Sequence, residues 1–555
     1  MLRDQVAELL YTAIAAAQAE GALPEFEVPE IPLHRPKQEA HGDLATPICL
    51  QMAGLAHMAP VKIAQILVDR LPDAEYLGAV EIAKPGYINF SLADRWLAQQ
   101  VETILQAGGQ FGALDLGKGR TLQVEFVSAN PTGPLHVGSS RNAVIGDVLA
   151  SVMEAAGYEV QREYYVNDAG AQIELFAETL YARYAQALGE QVALPEGAYQ
   201  GHYMVEMGQR AAREHGRALL VMERSQALKT LRETGLQYAL ESIRDDLALM
   251  GVHYDRWFPE QSLYDQGTFE LVLGLLKERG YVEERDGAVW FAATQLGDDK
   301  DEVIIRSNGE PGYFASDIAY HYDKFVLRGF DRVINVWGAD HQGHVPRMFT
   351  MMRALGLDPE RLSIVIYQLV TLRRGGEVVR LSKRTGDIIT AREVLEDVGA
   401  DAVRFFLLSR SADSQMDFDL DLAKEQSNEN PVYYVQYAHA RISSILRLAE
   451  ERELSLDSGD VALLGDPAEL MLIRRMLVLP EIVELAAQTL APHHLAHYAQ
   501  ELAAQFHAFY RDCRVVSSDP ADRQITLARL KLVRAAQTVL ARVLRLMGMT
   551  APEQM

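Results

Sequence analysis

The chain has 555 residues, too many for one hydrophobic core, so we expect three or four domains. Its only two cysteines, Cys49 and Cys513, exclude a disulfide framework and a zinc site built from cysteines. The formal net charge of −24 argues against non-specific coating of nucleic acid, because phosphate binding needs a basic surface.

The first 112 residues are predicted to form a small α+β domain. They start as an amphipathic helix rather than a signal peptide, and no apolar run in the chain approaches the ~20 residues of a membrane span, so we expect a cytosolic protein. Residues 81–92 read as a turn and a strand in which Tyr87 and Asn89 share one face. Tyr87 is either a partner contact or a half-buried strand aromatic.

Residues 121–150 read as a strand, a loop broken by proline and glycine, and a helix. In an open parallel sheet, such a loop lies at the carboxyl end of a strand, and free N–H groups of the next helix suit an anion. We therefore expect a phosphate here. His136 can hydrogen-bond its oxygens, and Gly138 lacks the Cβ that would keep a purine off the backbone. A turn histidine before an ordinary helix is the alternative.

Strand and helix then alternate. Residues 159–166 read as a strand and a helix begins near Ala171, which predicts the βαβ repeat of a doubly wound parallel sheet. Residues 175–250 are mostly helical and are interpreted as an insertion between the two halves of the nucleotide-binding fold. Residues 281–306 alternate β-branched and aromatic side chains, which predicts a hairpin.

A further predicted helix carries Tyr313 and Asp317. Their i, i+4 spacing puts a phenol and a carboxylate on one face of the helix. A carboxylate in a pocket is the natural partner of a guanidinium, because the planar fork donates two parallel charged hydrogen bonds. These two residues indicate arginine as a ligand. An aspartate that merely interacts with the helix dipole is the alternative.

An apolar strand at residues 330–340 ends in a turn that carries Asp340, His341 and His344. Because strand ends meet at one edge of the sheet, we expect these side chains near the same site. A carboxylate and two imidazoles could instead hold zinc or iron.

The remaining sequence contains two basic segments. Residues 380–384 read Arg-Leu-Ser-Lys-Arg and are a basic surface loop when taken alone. Beyond Asp387 the chain is expected to be wholly helical. Residues 521–548 hold six basic side chains against the single acidic Asp522, a local charge of +5, which indicates either an RNA contact or a solvated helix face.

Several of these segments resemble one family. Residues 125–139 resemble the HIGH signature of class I aminoacyl-tRNA synthetases, in the form found in arginyl-tRNA synthetases, although Ser139 replaces the second histidine. Residues 380–384 resemble the KMSKS loop, with Arg380 in place of its first lysine. The resemblance covers nearly the whole chain in the family order.

The resemblance implies an α/β fold with a Rossmann-like, HUP-type catalytic domain at residues 113–390, built on a doubly wound parallel sheet with a helical insertion at about 175–250. It implies an N-terminal α+β addition domain at residues 1–112 that binds the tRNA D-loop. A helical junction at 391–430 would contact the tRNA stem, and an all-helical domain at 431–555 would bind the anticodon.

The implied activity is attack of the arginine carboxylate on the α-phosphate of ATP, giving arginyl-adenylate and pyrophosphate, followed by transfer to the 3′ end of tRNA-Arg with release of AMP. ATP would enter as its Mg²⁺ complex, with no tightly bound metal held by the protein. The resemblance also implies a cytoplasmic monomer without a membrane contact or an obligate protein partner.

The implied site residues fall into four groups. Catalytic roles fall to His136, Ser139, Arg380 and Lys383; ATP binding to His136, Gly138, Ser139, Asp340, His344, Ser382 and Lys383; arginine binding to Glu125, Ser128, Asn130, Tyr313, Asp317 and His341; and tRNA binding to Tyr87, Asn89, Tyr434 and Arg441. Lys383 would reach the β- and γ-phosphates and stabilise pyrophosphate as it leaves.

Two alternatives remain. Another class I synthetase or a free nucleotidyltransferase would share the fold, but Asp317 with Tyr313 disfavours a neutral amino acid, and a small-metabolite enzyme has no need of the helical C-terminal domain. A catalytically inactive tRNA-binding paralogue is the other alternative. The residues Ser139 and Arg380 keep it open, whereas His136, Lys383 and Asp317 argue against it.

Overall fold

The computed structural model describes residues 2–379 and 389–555, except for the side chains of Glu39 and Tyr313. Two compact units are present. The first comprises Met1–Gly108, Ile442–Leu477 and Ala504–Thr538, and the second comprises Gly109–Arg441, Val478–Ala503 and Val539–Met555. Within the described parts of the chain, no helix is long and apolar enough to cross a membrane.

The N-terminal segment is an antiparallel sheet covered by helices. Strand order is β1-β3-β2, and Ile88 and Phe90 of β3 enter the same core as Val6 and Leu10 of the first helix. Alternation therefore puts Tyr87 and Asn89 on the opposite face, as predicted. The elements are α1 (Leu2–Ala19), β1 (Leu44–Thr46), α2 (Ile48–Ala56), α3 (Pro60–Val68), β2 (Leu77–Ala83), β3 (Tyr87–Leu92) and α4 (Asp94–Ala107).

The middle of the chain alternates strands and helices, as the sequence predicts. Its elements are β4 (Thr121–Glu125), α5 (Val137–Ala155), β5 (Glu159–Val166), α6 (Ala171–Ala187), α7 (His202–His215), α8 (Ala218–Val221), α9 (Arg224–Leu249), β6 (Arg256–Pro259), α10 (Ser262–Asp265), α11 (Thr268–Glu278), β7 (Val282–Arg285), β8 (Ala288–Phe291), β9 (Glu302–Ile305), α12 (Tyr313–Tyr322), β10 (Arg332–Gly338), α13 (Val345–Ala354), β11 (Leu362–Tyr367), β12 (Val370–Arg374), β13 (Glu377–Val378), α14 (Ala391–Val398), α15 (Ala400–Leu408) and β14 (Met416–Asp419).

The central sheet is parallel throughout, in the order β11-β10-β4-β5-β6. From β4 the chain first moves outward through β5 and β6, then returns to the other side of β4 with β10 and β11. This reversal is the topological switch point of a doubly wound sheet, where ligands bind. Asn142 on α5 bridges the two strand ends there, because it accepts a hydrogen bond from the Val127 N–H (2.8 Å) and donates one to the Val336 carbonyl (2.9 Å).

In the described middle part of the chain, two smaller sheets accompany the central one. The predicted hairpin at residues 281–306 is present as β7 and β8, and β9 extends it. The expectation that the chain is wholly helical beyond Asp387 is wrong, because β14 pairs in parallel with β12. Met416 and Phe418 of β14 are buried, while Asp417 faces outward and accepts a hydrogen bond from Arg373 at 2.8 Å. Buried and outward-facing residues thus alternate over four positions only, and a strand this short is hard to recognise in a sequence.

The C-terminal part of the chain is helical. Its elements are α16 (Pro431–Glu451), α17 (Pro467–Met476), α18 (Leu479–Thr489), α19 (His493–Asp512) and α20 (Arg523–Leu546). Leucine and alanine supply most of the buried side chains of α20, at the spacing of an amphipathic helix.

Candidate active site

A cleft of about 2150 Å³ opens at the carboxyl edge of the central sheet. Its walls come from the loop after β4, the start of α5, the ends of β5, β6 and β10, and helix α12. Residues of the helical insertion, Tyr199, His202 and Glu206, also line it. The volume exceeds the ~300–1,000 Å³ of ordinary small-ligand pockets, so there is room for more than one substrate.

His136 caps the N-terminus of α5. Its Nδ1 accepts a hydrogen bond of 3.1 Å from the Gly138 N–H, and its carbonyl accepts one of 2.9 Å from Ser139 N–H. The prediction of free N–H groups for a phosphate is therefore wrong for these two residues, because both bond within the motif. Side chains remain as donors to the cleft: the imidazole, and the hydroxyl of the buried Ser139, which lines it.

Gly138 is required by the ring of His136. A Cβ built at Gly138 would lie 2.8 Å from Cε1 and 2.9 Å from Nδ1 of that ring. Space for the histidine therefore gives a reason for glycine here besides access of a purine. Desolvation by the cleft walls lowers the pKa of His136, and the nearby charge of Asp340 partly offsets this.

The backbone after β4 is strained. Val127 and Ser128 have φ values of 65° and 41°, in the left-handed region that β-branched residues rarely adopt. The Ser128 hydroxyl is held on both sides, since it donates to Glu125 Oε1 (3.1 Å) and accepts from the Tyr165 N–H (3.1 Å). Asn130, farther along the loop, donates to Gln172 at 2.8 Å. The kink turns the predicted residues Glu125, Ser128 and Asn130 toward the cleft, which all three line.

Asp317 lies half-buried in the cleft wall, one turn into α12. Burial raises the pKa of its carboxyl to about 7, and the charges of Glu125 and Glu260 contribute. The predicted partner Tyr313 begins the same helix, but its side chain lies outside the described part of the structure.

Glu260 supplies another carboxylate to this end of the cleft and was missed in the sequence. It accepts a hydrogen bond of 2.5 Å from Ser316, whose hydroxyl also bonds the Tyr264 hydroxyl at 2.7 Å. Burial raises the pKa of Glu260. Because Glu260 directly follows strand β6, the rule that ligands meet strand ends could have found it.

Lys324 was also missed, and it lies beneath the cleft. Its ammonium bonds Glu125 Oε2 at 2.5 Å, and its side chain is fully buried. The residue belongs to a π-helical turn, Asp323–Leu327, that extends α12. Such a turn cannot be read from spacing, because it breaks the helical period that sequence analysis depends on.

Asp340, His341 and His344 lie on a 3-10 turn, Ala339–His344, and also line the cleft. Asp340 and His341 are exposed, with 3.5 Å between His341 Nε2 and Asp340 Oδ2. His344 Nδ1 lies 3.3 Å from an Arg347 guanidinium nitrogen, whose charge joins desolvation in lowering the pKa of His344. These three residues do not form a group that could hold a metal ion, and neither do other described acidic, histidine or cysteine side chains.

Arg380, Ser382 and Lys383 lie outside the described residues, so the predicted KMSKS-like loop stays a sequence prediction. The chain just after it is described. Thr390 pairs with His136 as an isolated β-bridge, and the Ala391 N–H donates to the Leu135 carbonyl at 2.7 Å. Ile389 and Thr390 therefore line the same cleft as His136.

Known proteins match the chain along nearly its whole length. The family profile described as "tRNA synthetases class I (R), catalytic domain" matches residues 100–419. The profiles "Arginyl tRNA synthetase N terminal domain" and "DALR anticodon binding domain" match residues 4–92 and 435–555. An arginine–tRNA ligase of Dehalococcoides mccartyi (strain BAV1) is 53% identical over 554 residues, covering 100% of this chain and 99% of its own. The chain belongs to the arginyl-tRNA synthetase family.

Other members of the arginyl-tRNA synthetase family are similar to this chain over its whole length. The arginine–tRNA ligase of Caldanaerobacter subterraneus subsp. tengcongensis is 47% identical over 557 residues, covering 100% of this chain and 99% of the relative. The solved arginyl-tRNA synthetase of Thermus thermophilus superposes with a TM-score of 0.76 at 26% identity over 100% of both chains. The Plasmodium falciparum enzyme superposes with a TM-score of 0.77 at 16% identity, over 100% of this chain and 99% of that one, and this likeness shows the fold alone. The protein activates arginine with ATP and charges tRNA-Arg, as a class I arginine–tRNA ligase.

The tRNA contacts predicted from the arginyl-tRNA synthetase resemblance differ in exposure. Tyr87 is half-buried and meets His34 edge-on at 6.3 Å. Asn89 is only 8% exposed, so a direct nucleotide contact requires its side chain to move. On α16, Tyr434 is half-buried, and Arg441 donates to the Tyr437 hydroxyl at 2.7 Å.

The basic segment 521–548 is predicted to be either an RNA contact or a solvated helix face, and neither interpretation fits all of its basic side chains. Arg529 is paired with buried Glu469 at 2.6 Å, and Lys531 is paired with Glu102 at 2.5 Å. These two cations hold elements of the first unit together. Arg523 and Arg545 are exposed and keep the charge that could meet a phosphate.

Proposed function

We propose that the acidic end of the cleft binds arginine, with its guanidinium between Asp317 and Glu260 and its ammonium beside Glu125. The convergence of these carboxylates carries the proposal. Burial raises the pKa of Asp317 to about 7, with contributions from Glu125 and Glu260, so the site gains by taking up a cation. A guanidinium fits best because its planar fork can donate to two carboxylates at once. Ser128, Asn130, His341 and Tyr313 are proposed as further arginine contacts.

The opposite end of the cleft is proposed to bind ATP as its Mg²⁺ complex. His136 would donate from Nε2 to the phosphates, because its Nδ1 already accepts the Gly138 N–H. Ser139, Asp340 and His344 would shape the nucleotide site, with Gly138 between them.

The loop at residues 380–388 is proposed to complete the phosphate site from the sequence prediction alone. Lys383, with Arg380 and Ser382, would stabilise the charge on the departing pyrophosphate. The position of Thr390 beside His136 supports this, because the chain leaves the loop at the cleft.

The chemistry follows from bringing these two ends together. A carboxylate oxygen of arginine forms a bond to the α-phosphorus, and the bond from that phosphorus to the bridging oxygen breaks, so pyrophosphate leaves with the electron pair. A ribose hydroxyl at the tRNA 3′ end then attacks the arginyl carbonyl carbon and AMP leaves. The hydroxyl proton passes to solvent, and the protein contributes mainly position and charge.

We propose that tRNA is bound through Tyr87 and Asn89 at one site and through Tyr434 and Arg441 at another. The predicted domain roles follow, with residues 1–112 meeting the D-loop, 391–430 the stem, and 431–555 the anticodon. A monomer working in the cytoplasm is also proposed. Sedimentation at working concentration tests the monomer, since a dimer would sediment at twice the mass.

The central experiment is ATP–pyrophosphate exchange with each amino acid, with and without tRNA-Arg. We expect exchange with arginine and far less with lysine, which has the charge but not the fork. Glu260→Gln should raise KM for arginine while leaving KM for ATP close to that of the wild type. Equal activity with lysine, or no arginine effect of Glu260→Gln, would contradict the proposed pocket.

A further inference from the structure

Polar side chains form a row across the parallel sheet, directly beneath the acidic end of the cleft. Register pairs Asn335 of β10 with Glu125 of β4, Glu125 with Glu163 of β5, and Glu163 with Arg256 of β6. Because register partners in a parallel sheet face the same side, these side chains point one way. Glu163 and Asn335 are fully buried. A polar row inside a sheet of this kind requires partners from the element that covers it.

The covering element is the end of α12 with its π-helical turn. Arg328 bonds Glu163 at 2.5 and 2.9 Å, and Tyr320 donates to the same carboxylate at 2.5 Å. Lys324 takes the neighbouring position, with its ammonium 2.5 Å from Glu125, 3.1 Å from Asn335 and 4.0 Å from the centre of the Tyr320 ring. Each of the three N–H groups of the ammonium thus has a partner: a carboxylate, an amide oxygen and an aromatic ring.

A directed hydrogen-bond chain runs from Lys324 to the arginine pocket. Lys324 donates to Asn335 Oδ1, so the Asn335 amide nitrogen faces His321 Nε2, at 2.9 Å. Nε2 must then accept, and the proton of the neutral ring lies on Nδ1, which donates to the Asp317 carbonyl at 2.8 Å. Burial keeps the pKa of His321 well below its usual value, which agrees with a neutral ring.

We infer that Lys324 is a positioning residue for arginine selection. It holds Glu125 Oε2 so that Oε1, with Ser128, faces the cleft, and it fixes the turn that carries Asp317 through Asn335 and His321. Its charge also offsets one of the carboxylates Glu125, Asp317 and Glu260, so that the remaining negative charge matches the guanidinium and ammonium of arginine. This inference rests on the proposed arginine pocket.

The test compares Lys324→Met with the wild type in arginine-dependent pyrophosphate exchange. We expect KM for arginine to rise about tenfold or more, the equivalent of one pKa unit of lost interaction, while KM for ATP changes about twofold or less. The acid limb of kcat/KM for arginine should also move to higher pH, because a positive charge is removed from beside Asp317.

The pH result depends on the charged and titratable groups that face this site. Around the pocket these include Glu125, Asp168, Tyr165, Glu260, Tyr264, Asp317, Lys324 and Arg347, and around the lysine they include Glu163, Tyr320, His321 and Arg328. Arg328→Met is the matched control, since it removes a neighbouring, partly buried cation that pairs with Glu163 and Asp323 instead of Glu125. It should lower thermal stability while leaving the ratio of the two KM values unchanged.

Removing Lys324 alone leaves Glu125 buried without its cation, so the single variant can fail to fold. Lys324→Met/Glu125→Gln removes both charges and is compared with Glu125→Gln alone. In that background Lys324→Met should raise KM for arginine less than it does in the wild type, because only the path through Asn335 and His321 is then lost, and it should still move the acid limb. The inference would be overturned if the acid limb of kcat/KM for arginine stays at the same pH, or if KM for arginine and KM for ATP rise equally. If Glu125→Gln and Asp317→Asn both leave KM for arginine unchanged, the pocket itself is misplaced.

Discussion

The ring of His136 and the backbone of Gly138 fix each other. Because Nδ1 accepts the Gly138 N–H at 3.1 Å, the neutral imidazole carries its proton on Nε2, where it is a donor and not a base. The same closeness leaves no room for a Cβ at residue 138. The hydrogen bond between Gly138 and His136 thus sets both the tautomer and the orientation of the imidazole.

Gly138→Ala should therefore imitate a loss of His136. The new methyl group would displace the ring, and we expect kcat for adenylate formation to fall about 10²-fold, in the range of a lost transition-state donor. KM for arginine should change little, since Asp317 is not involved. His136→Ala is the reference variant in single-turnover adenylate formation. If the Gly138→Ala enzyme forms adenylate much faster than the His136→Ala enzyme, the orientation of the His136 ring does not depend on Gly138.

Asp317→Asn should abolish arginine selection more than ATP binding. Replacing the charged partner of a desolvated guanidinium is expected to cost about 2–5 kcal/mol, seen as a rise in KM for arginine. Glu310→Gln is the control, because Glu310 lines the same cleft but its side chain is 66% exposed. Wild-type efficiency with arginine in the Asp317→Asn enzyme would contradict the assignment.

Arginine affinity should depend on pH around neutrality. Burial raises the pKa of Asp317 to about 7 in the free enzyme, whereas the bound guanidinium favours the carboxylate. Affinity should thus rise with pH through about 7 and level off above it, with a proton released on binding. Calorimetry in two buffers of different ionisation enthalpy measures this proton. The release should disappear in Asp317→Asn.

The same carboxyl should make the free enzyme less stable at high pH. A pKa raised from about 3.9 in the unfolded chain gives stability that is present below about pH 4 and is lost as pH rises through about 7. Asp317→Asn should therefore melt a few degrees above the wild type at pH 8, with the difference vanishing near pH 4. Melting curves across pH without substrates check this. A lower Tm than wild type at pH 8 would contradict it.

Salt dependence should separate the basic residues of segment 521–548. Alanine at exposed Arg523 or Arg545 should reduce the slope of log affinity for tRNA against log salt by about one if each meets a phosphate. Alanine at Arg529 or Lys531 should lower Tm and leave the slope unchanged, because these cations are paired within the protein. Tyr87→Ala should weaken tRNA binding with a nearly unchanged slope. If Arg523→Ala and Arg545→Ala keep the wild-type slope, the RNA footprint lies elsewhere.

Local pattern was enough to predict the parallel sheet and the place of its cleft. His136 is predicted because it stands where a strand, a loop and a helix follow each other in the sequence, and Asp317 because it lies one helical turn from Tyr313. The same reasoning failed for Arg529 and Lys531, whose partners Glu469 and Glu102 lie 60 and 429 residues away. Their charges looked available only because nothing nearby in the chain neutralises them.

The backbone after β4 illustrates another limit. The left-handed φ of Val127 contradicts the preference of a β-branched residue; a local bond from the Ser128 N–H to the Phe126 carbonyl (3.0 Å) and a tertiary bond from the Val127 N–H to Asn142 (2.8 Å) accompany it. Lys324 was missed for a related reason, since a π turn displaces a side chain from the face that its position in the sequence predicts.

The pairing of Glu125 with Lys324 inside the sheet limits how this enzyme can be re-engineered for other amino acids. A designer who neutralises only the carboxylates that touch arginine leaves an ammonium without its counter-ion under the pocket, at 0% exposure. An amino acid with an uncharged side chain still carries the ammonium that we propose lies beside Glu125, so Glu125 and Lys324 must be kept together while Asp317 and Glu260 are replaced. A buried side chain that never meets the substrate thus has to be held constant in any library built to change which amino acid is attached.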